Sequence, residues 1–170
     1  PQVSNPGTVV VTTDPGTNTQ TWTAPDNISV MELASGNIGS DARLNVYLPA
    51  DDSRLLAKVM GGGASYWNGS VYCPRGMFVF ENQSGLNIGP QANISVNNFI
   101  ATTLDISANN FIQGNYEFEK NVGSSQITND GLISGNNIAL LGSAVHNGKT
   151  GVIMARAGIV HLASGNKVTV

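Results

Sequence analysis

Charge is scarce in this chain: Asp, Glu, Lys and Arg make up 11% of its 170 residues, against roughly a quarter in an ordinary soluble domain. Disorder is not the reason, because disordered chains pair low hydrophobicity with high net charge. Here 41% of the residues are hydrophobic and the formal net charge is -3. The eight Lys and Arg are scattered from Arg43 to Lys167 and form no basic stripe, which argues against nucleic acid as a partner. No apolar run approaches the ~20 residues of a membrane-spanning helix, so no membrane insertion is expected. The one cysteine, Cys73, cannot close an internal disulfide and reads as a buried structural thiol. A chain so poor in cysteine fits the cytosol or a Gram-negative secretion route that avoids periplasmic oxidation. It opens at Pro1 with neither an initiator Met nor a signal segment, as a processed product or an excised piece would.

Catalytic groupings are also sparse. Glu117 and Glu119 are the one close carboxylate pair on a strand face; such pairs can divide acid and base roles, but a solvated face is the simpler reading. Asp51-Asp52 beside Pro49 reads as a turn. His146 and His161 lack the further ligands of a metal set, and Asp14, Asn18 and Asp26 match no calcium loop. Gly61-Gly62-Gly63-Ala64-Ser65 has neither the Lys of a phosphate loop nor the setting of a nucleophile elbow. Tyr66, Trp67 and Tyr72 read as core packing in preference to a sugar- or protein-binding surface. Asn-x-Ser sequons begin at Asn27, Asn68, Asn82 and Asn93, as chance provides in so Asn- and Ser-rich a chain. The reading is a non-enzyme without cofactor or metal.

What is abundant is the short β-strand bounded by Gly, Asn and Pro. Val9-Val10-Val11-Thr12-Thr13 lies between Pro6-Gly7 and Pro15-Gly16, a strand between turns. It either caps the end of the fold or adds to a neighbouring molecule's sheet. Strands follow at Thr21 to Thr23, Ile28 to Leu33 and Leu44 to Leu48. Asp51 to Met60 has the capping residues of a helix. Ala92 to Gly114 shows strand-length alternation cut by Asn97-Asn98 and Asn109-Asn110, where turns are expected. Further on, Gln126 to Ile133 is echoed by Ala144 to Gly148 and Gly151 to Ile153, and Asn137 to Gly142 by Gly158 to Gly165. Apolar runs recurring roughly every 18 to 22 residues with Asn or Gly corners mark a parallel β-helix, whose rungs bury their inward side chains by stacking. Aligned asparagines at the corners can extend as hydrogen-bonded ladders.

Several of these segments, in order, resemble the amino-terminal secretion domain of the filamentous haemagglutinin family, the exoproteins of two-partner secretion. Phe99-Ile100-Ala101-Thr102-Thr103-Leu104-Asp105-Ile106-Ser107 resembles its FIASTLDIS segment. Ser35 to Gly39 followed by Leu44, Val46, Leu48 and Pro49 resembles its FNIG step and V-x-F strand. Ser70-Val71-Tyr72, Cys73-Pro74-Arg75-Gly76 and Met77 to Phe80 follow its G-x-V, N-P-N-G and I-x-F-G order, with Cys73 in place of the first asparagine. The family's L-N-R-V-x-G-G step implies a strand, not a helix, over Arg54 to Met60.

The resemblance implies an all-β, right-handed parallel β-helix over residues 19–170; residues 1–18 precede it as the capping or donor strand region read from their turns and β-branched run. It implies a non-enzymatic, adhesin-like domain, secreted or at the cell surface of a Gram-negative bacterium. Export would proceed through an outer-membrane transporter whose periplasmic domains recognise the chain while extended. Cys73, Pro74, Arg75 and Gly76 would form the recognition turn, and Asn98, Phe99, Ile100, Leu104, Asp105 and Ile106 a folding nucleus. A second reading is a subunit that stacks on copies of itself into an extracellular filament, with Val9, Val10 and Val11 pairing against Val168 and Val170 of a neighbour. A carbohydrate-active enzyme is the third.

Overall fold

A computed structural model describes residues 1–170 as a parallel β-helix of about six turns. Two antiparallel strands come first, β1 (Gln2–Asn5) and β2 (Val10–Asp14). The first turn contains β3 (Thr19–Thr23) and β4 (Ile28–Ser35), and the second β5 (Arg43–Tyr47), β6 (Arg54–Val59) and β7 (Ser65–Trp67). The third is β8 (Ser70–Glu81) and β9 (Leu86–Ile88). The fourth contains β10 (Asn93–Thr102), an excursion with helix α1 (Ala108–Gln113) and β11 (Glu117–Glu119), and then β12 (Gln126–Asn129). The fifth is β13 (Leu132–Gly135), β14 (Asn137–Gly142) and β15 (Ala144–Asn147). The sixth holds β16 (Val152–Ala155) and β17 (Val160–Ser164), and β18 (Lys167–Thr169) follows.

Every turn stacks in register on the next, so like side chains form columns inside the solenoid. On one flank Leu44, Val71, Ile94, Ile133 and Ile153 stand in line. On the second the column is Leu55, Phe78, Phe99, Ile138 and Val160, next to Ala57, Phe80, Ala101, Leu140 and Leu162. On the third Leu86, Ile127 and Val145 follow Ser65. Alternation along each strand turns one set inward and the next outward, which explains why the repeat is legible although the rungs differ in length. Trp67 packs at the meeting of these columns, 4.6 Å from the Phe80 ring and 6.1 Å from that of Phe99.

Arg54–Val59 is a strand, as the resemblance implies, and Val10–Asp14 lies antiparallel on β3 while β1 lies antiparallel on β4. Val9 is buried and these two strands close the N-terminal end. Asn97 and Asn98 do mark a corner: the register shifts between Val96 and Asn98 within β10. Asn109-Asn110 does not. These residues lie in α1, which Ser107 caps by accepting from the Asn110 N–H at 3.1 Å and Gly114 ends at φ +77°. Two local caps suffice there because Phe111 supplies a buried anchor.

The excursion gives the fold a second apolar layer. Leu56, Val79, Ile100, Ala139 and Leu141 point outward from the second flank and are covered by Leu104, Ile106, Phe111 and Phe118, with Tyr116 and Val168 at the margin. Strands buried on both faces carry near-continuous apolar runs instead of alternation, hence Met77-Phe78-Val79-Phe80 and Ile138-Ala139-Leu140-Leu141. The excursion also makes the fourth turn much longer than the uniform repeat expected from sequence.

Candidate functional site

The Cys73–Gly76 corner lies inside β8, between the half that stacks on β5 and the half that stacks on β6. Cys73 is fully buried, its Sγ donating to the Arg75 carbonyl at 3.5 Å, and burial pushes its thiol up to about 12. It is inert packing, as its composition-level reading suggested. Pro74 and Arg75 are the exposed members. Arg75 Nε lies 3.2 Å from Asp51 Oδ1, and Nη1 donates to the Pro49 carbonyl at 2.9 Å, tying this corner to the one beneath. Gly76 sits at φ +74°, and a Cβ there would lie 2.5 Å from the Ser53 carbonyl oxygen and 2.8 Å from Leu48 Cδ1. Positive φ and a collision with backbone act together, so Gly76→Ala is expected to cost about 2–3 kcal/mol in urea-induced unfolding. A loss under about 0.5 kcal/mol would show that the corner relaxes freely.

Asparagine ladders run along two corners. Asn97 donates to the Gly76 carbonyl at 3.2 Å and accepts from Asn136 at 2.6 Å, while Asn98 accepts from Asn137 at 2.8 Å. Asn137 Oδ1 in turn accepts from the Ile159 N–H at 3.1 Å. The second ladder joins fully buried Asn129 to Asn147 at 2.9 Å. The amides of Asn97, Asn129, Asn137 and Asn147 also bond backbone groups at these bends.

The six residues of the expected nucleus divide among four environments. Phe99 is in the inner column, Asn98 in a ladder, and Ile100, Leu104 and Ile106 in the outer apolar layer. Asp105 joins an ionic cluster that sequence reasoning did not find: Lys58 Nζ lies 3.1 Å from Asp105 Oδ1 and 3.3 Å from Glu81 Oε2. Glu81 also accepts from the Ile106 N–H at 2.8 Å. Its one sequence signal is a carboxylate ending the apolar run Met77 to Phe80. Burial pushes Glu81 up to about 7 despite Lys58. Burial also disfavours the Lys58 ammonium, but Glu81 and Asp105 together outweigh it and hold that group above its usual value.

A Glu81 pKa raised from 4.5 to about 7 means that the folded state holds the proton more tightly than the unfolded state. Its contribution to stability is full below the unfolded value and is lost as pH rises through the folded one. Between pH 5 and 8, wild type is expected to lose on the order of 2–3 kcal/mol relative to Glu81→Gln. Urea titrations of both proteins at the two pH values measure this, and parallel pH profiles would refute it.

The ends of the solenoid differ. The N-terminal end is covered by β1 and β2. At the other end β15, β16 and β17 have no strand on their outer edges, and the inward Val145, Ile153, Val160 and Leu162 remain partly or largely exposed. Val168 and Val170 do not form this edge, because β18 leaves the solenoid and pairs antiparallel with β11. Lys167 on β18 lies 3.3 Å from Glu117 and 3.1 Å from Glu119. That carboxylate pair flanks a lysine and has no cleft. Tyr66, Trp67 and Tyr72 likewise separate: Trp67 is core, Tyr66 is exposed, and Tyr72 lies against Tyr47 on another flank. His146 and His161 lie on different flanks, and no three His, Cys, Asp or Glu side chains converge as metal ligands.

A scan of protein-family models finds no match, and neither does a search of curated proteins. A solved structure does match: the HMW1 secretion domain from Haemophilus influenzae, at a TM-score of 0.80 and 26% identity, over 99% of this chain. The matched structure is a two-partner secretion domain, and this chain is similar to it in fold. This chain spans 45% of the length of the matched chain. The secretion-type solenoid is a structural, non-catalytic kind of fold.

Proposed function

We propose that this domain directs export of an exoprotein through an outer-membrane transporter of a Gram-negative bacterium and then templates β-helix growth outside the cell. The observation that carries the reading is the asymmetry of the ends: a closed N-terminal cap and an open final rung. The edges of β15, β16 and β17 offer unpaired backbone groups beside exposed inward Val145, Ile153, Val160 and Leu162, and such an edge pairs with whatever strand comes next. Growth has one direction. The transporter would read the Cys73–Gly76 segment before folding, since Cys73 is inaccessible afterwards, and strand addition suits an extended segment of variable sequence. Asn98 to Ile106 would then join the inner column, the ladder and the outer layer in one stretch, the role of a nucleus. An adhesive role belongs to the exoprotein that the domain delivers.

Co-expression with the transporter encoded beside the exoprotein, followed by assay of the medium, tests this. Export is expected with the transporter and not without it, and Pro74→Ala with Arg75→Glu should lower export while leaving the folded domain's stability nearly unchanged. Export independent of the transporter would overturn the reading; export insensitive to the double variant would overturn the corner's role.

The open rung also favours, as a second reading, self-association into filaments. Since β2 already covers the N-terminal end, Val9, Val10 and Val11 would have to accept the neighbour on the outer edge of β2. Concentration-dependent sedimentation abolished by Leu162→Asp would support it, and a monomer at all concentrations would refute it.

A further inference from the structure

We propose that Lys58 and Asp105 condense into an intramolecular isopeptide bond, with Glu81 moving the proton, so that the excursion becomes covalently fastened to the solenoid. An amine is a nucleophile for a carboxyl carbon, and a carboxyl group of neutral character that exchanges protons near the working pH is a competent acid and base. Lys167 also meets two carboxylates, Glu117 and Glu119, but those are exposed, whereas here one of the two carboxyl groups is buried.

Their positions are fixed by backbone that cannot drift. Lys58 is on β6 and Glu81 on β8, paired residue to residue in adjacent turns. Asp105 is held by two backbone hydrogen bonds with Glu119, of 2.7 and 2.9 Å. Lys58 Nζ donates to the Ile106 carbonyl at 2.7 Å as well as to Asp105 Oδ1 at 3.1 Å, which holds the nitrogen beside the carboxyl group it would attack. Gln83 Nε2 donates to the same Asp105 oxygen at 3.2 Å, drawing electron density from the carboxyl carbon. Glu81, with a side chain 2% exposed, reaches Nζ at 3.3 Å. Leu104 and Ile106 on either side of Asp105 are fully buried. A cavity of about 340 Å³ lined by Lys58, Glu81, Gln83, Asp105 and the Met60–Gly62 bend adjoins the three groups and gives the leaving water a way out.

The step balances without any co-reactant. The Lys58 ammonium gives one proton to the Asp105 carboxylate across their ion pair. The free amine attacks Cγ of the resulting carboxyl group, forming the N–C bond. Neutral Glu81 hands its proton to the departing hydroxyl and takes one from Nζ, the C–O bond breaks, and one water leaves. Glu81 ends as it began, Nζ keeps one hydrogen in the amide, and no atom is oxidised or reduced. The product replaces a partly exposed ion pair by a neutral amide and ties residue 105 to residue 58. In a chain whose one cysteine is buried, it supplies the cross-link that a disulfide cannot.

Intact mass under denaturing conditions decides the matter. The folded 170-residue chain, incubated at neutral pH, is expected to be one water lighter than its sequence, and a protease digest should give a branched peptide joining the Lys58 and Asp105 segments. Glu81→Gln should keep the full mass while folding normally by circular dichroism. Lys58→Arg, which preserves the ion pairs but offers no nucleophilic amine, should do the same. A wild-type chain at full mass after prolonged incubation overturns the proposal. So does a water loss that maps to a cyclic imide at Asp130-Gly131, and dehydration of the Lys58–Asp105 pair in Glu81→Gln overturns the role of Glu81.

Discussion

Trp67→Ala should lower the free energy of unfolding by about 4–5 kcal/mol, a large share of the 5–15 kcal/mol that holds a domain together. The indole is wholly buried and meets Phe80 and Phe99 across the solenoid, with Ile38 and Ile88 on the turns to either side. Its N–H donates to the Gly36 carbonyl at 2.7 Å. Truncation therefore leaves both a large void, which stiff stacked rungs cannot close, and a buried carbonyl without a donor. The backbone has no room to collapse inward, since even a Cβ on Gly36 would lie 2.6 Å from Phe80 Cζ and from Ser65 Oγ. Trp67→Phe refills much of the volume and should cost about half as much. Urea titration followed by circular dichroism measures both. A cost below about 1 kcal/mol for Trp67→Ala would mean that adjacent turns re-pack and that the columns are looser than their register implies.

The inner columns were legible in the sequence because they obey a simple rule. A residue that stacks on its counterpart one turn away must be apolar at each recurrence, so Gln126 to Ile133 and Ala144 to Ile153 betray each other. The N-terminal strand run was legible for the same reason, through its flanking Pro-Gly turns. The excursion was not. Helix α1 contains Asn109-Asn110, poor helix formers, and its existence depends on Ser107, Gly114 and the burial of Phe111, none of which is a periodic signal. Its trace lay elsewhere, in the doubly apolar strands Met77 to Phe80 and Ile138 to Leu141, which have no reason to lack alternation unless something covers their outer face. The Lys58, Glu81 and Asp105 cluster was invisible for a different reason. Its members are far apart in sequence, and only the pairing of β6 with β8 and the return of the excursion bring them together. Cys73 to Gly76 was legible as a turn, but its inward thiol and outward Arg75 follow from the rung's geometry.

Phe111→Ala should separate the two layers. The ring is fully buried, with Tyr116 edge-on at 6.2 Å and the Arg54 guanidinium 5.8 Å above it. Arg54 also donates to the Phe111 and Ile112 carbonyls at 3.3 and 2.8 Å, capping the last turn of α1. Removing the ring takes about 3–4 kcal/mol from the docking of the excursion, which corresponds to a rise of two to three orders of magnitude in the exchange rate of the Gly114 and Asn115 amides if they open locally. Trp22 and Trp67 are both in the inner core and none lies in the excursion, so tryptophan fluorescence reports the solenoid alone. Its unfolding midpoint should shift little while amide exchange and proteolysis between residues 107 and 125 accelerate. If the tryptophan midpoint falls in step with them, the excursion and the solenoid are one cooperative unit. The expected separation has a consequence for export. A chain emerging extended can stack its rungs through local contacts between consecutive turns, and the part of the excursion beyond Ile106, with α1 and β11, can dock afterwards on an outer face that those rungs have already built.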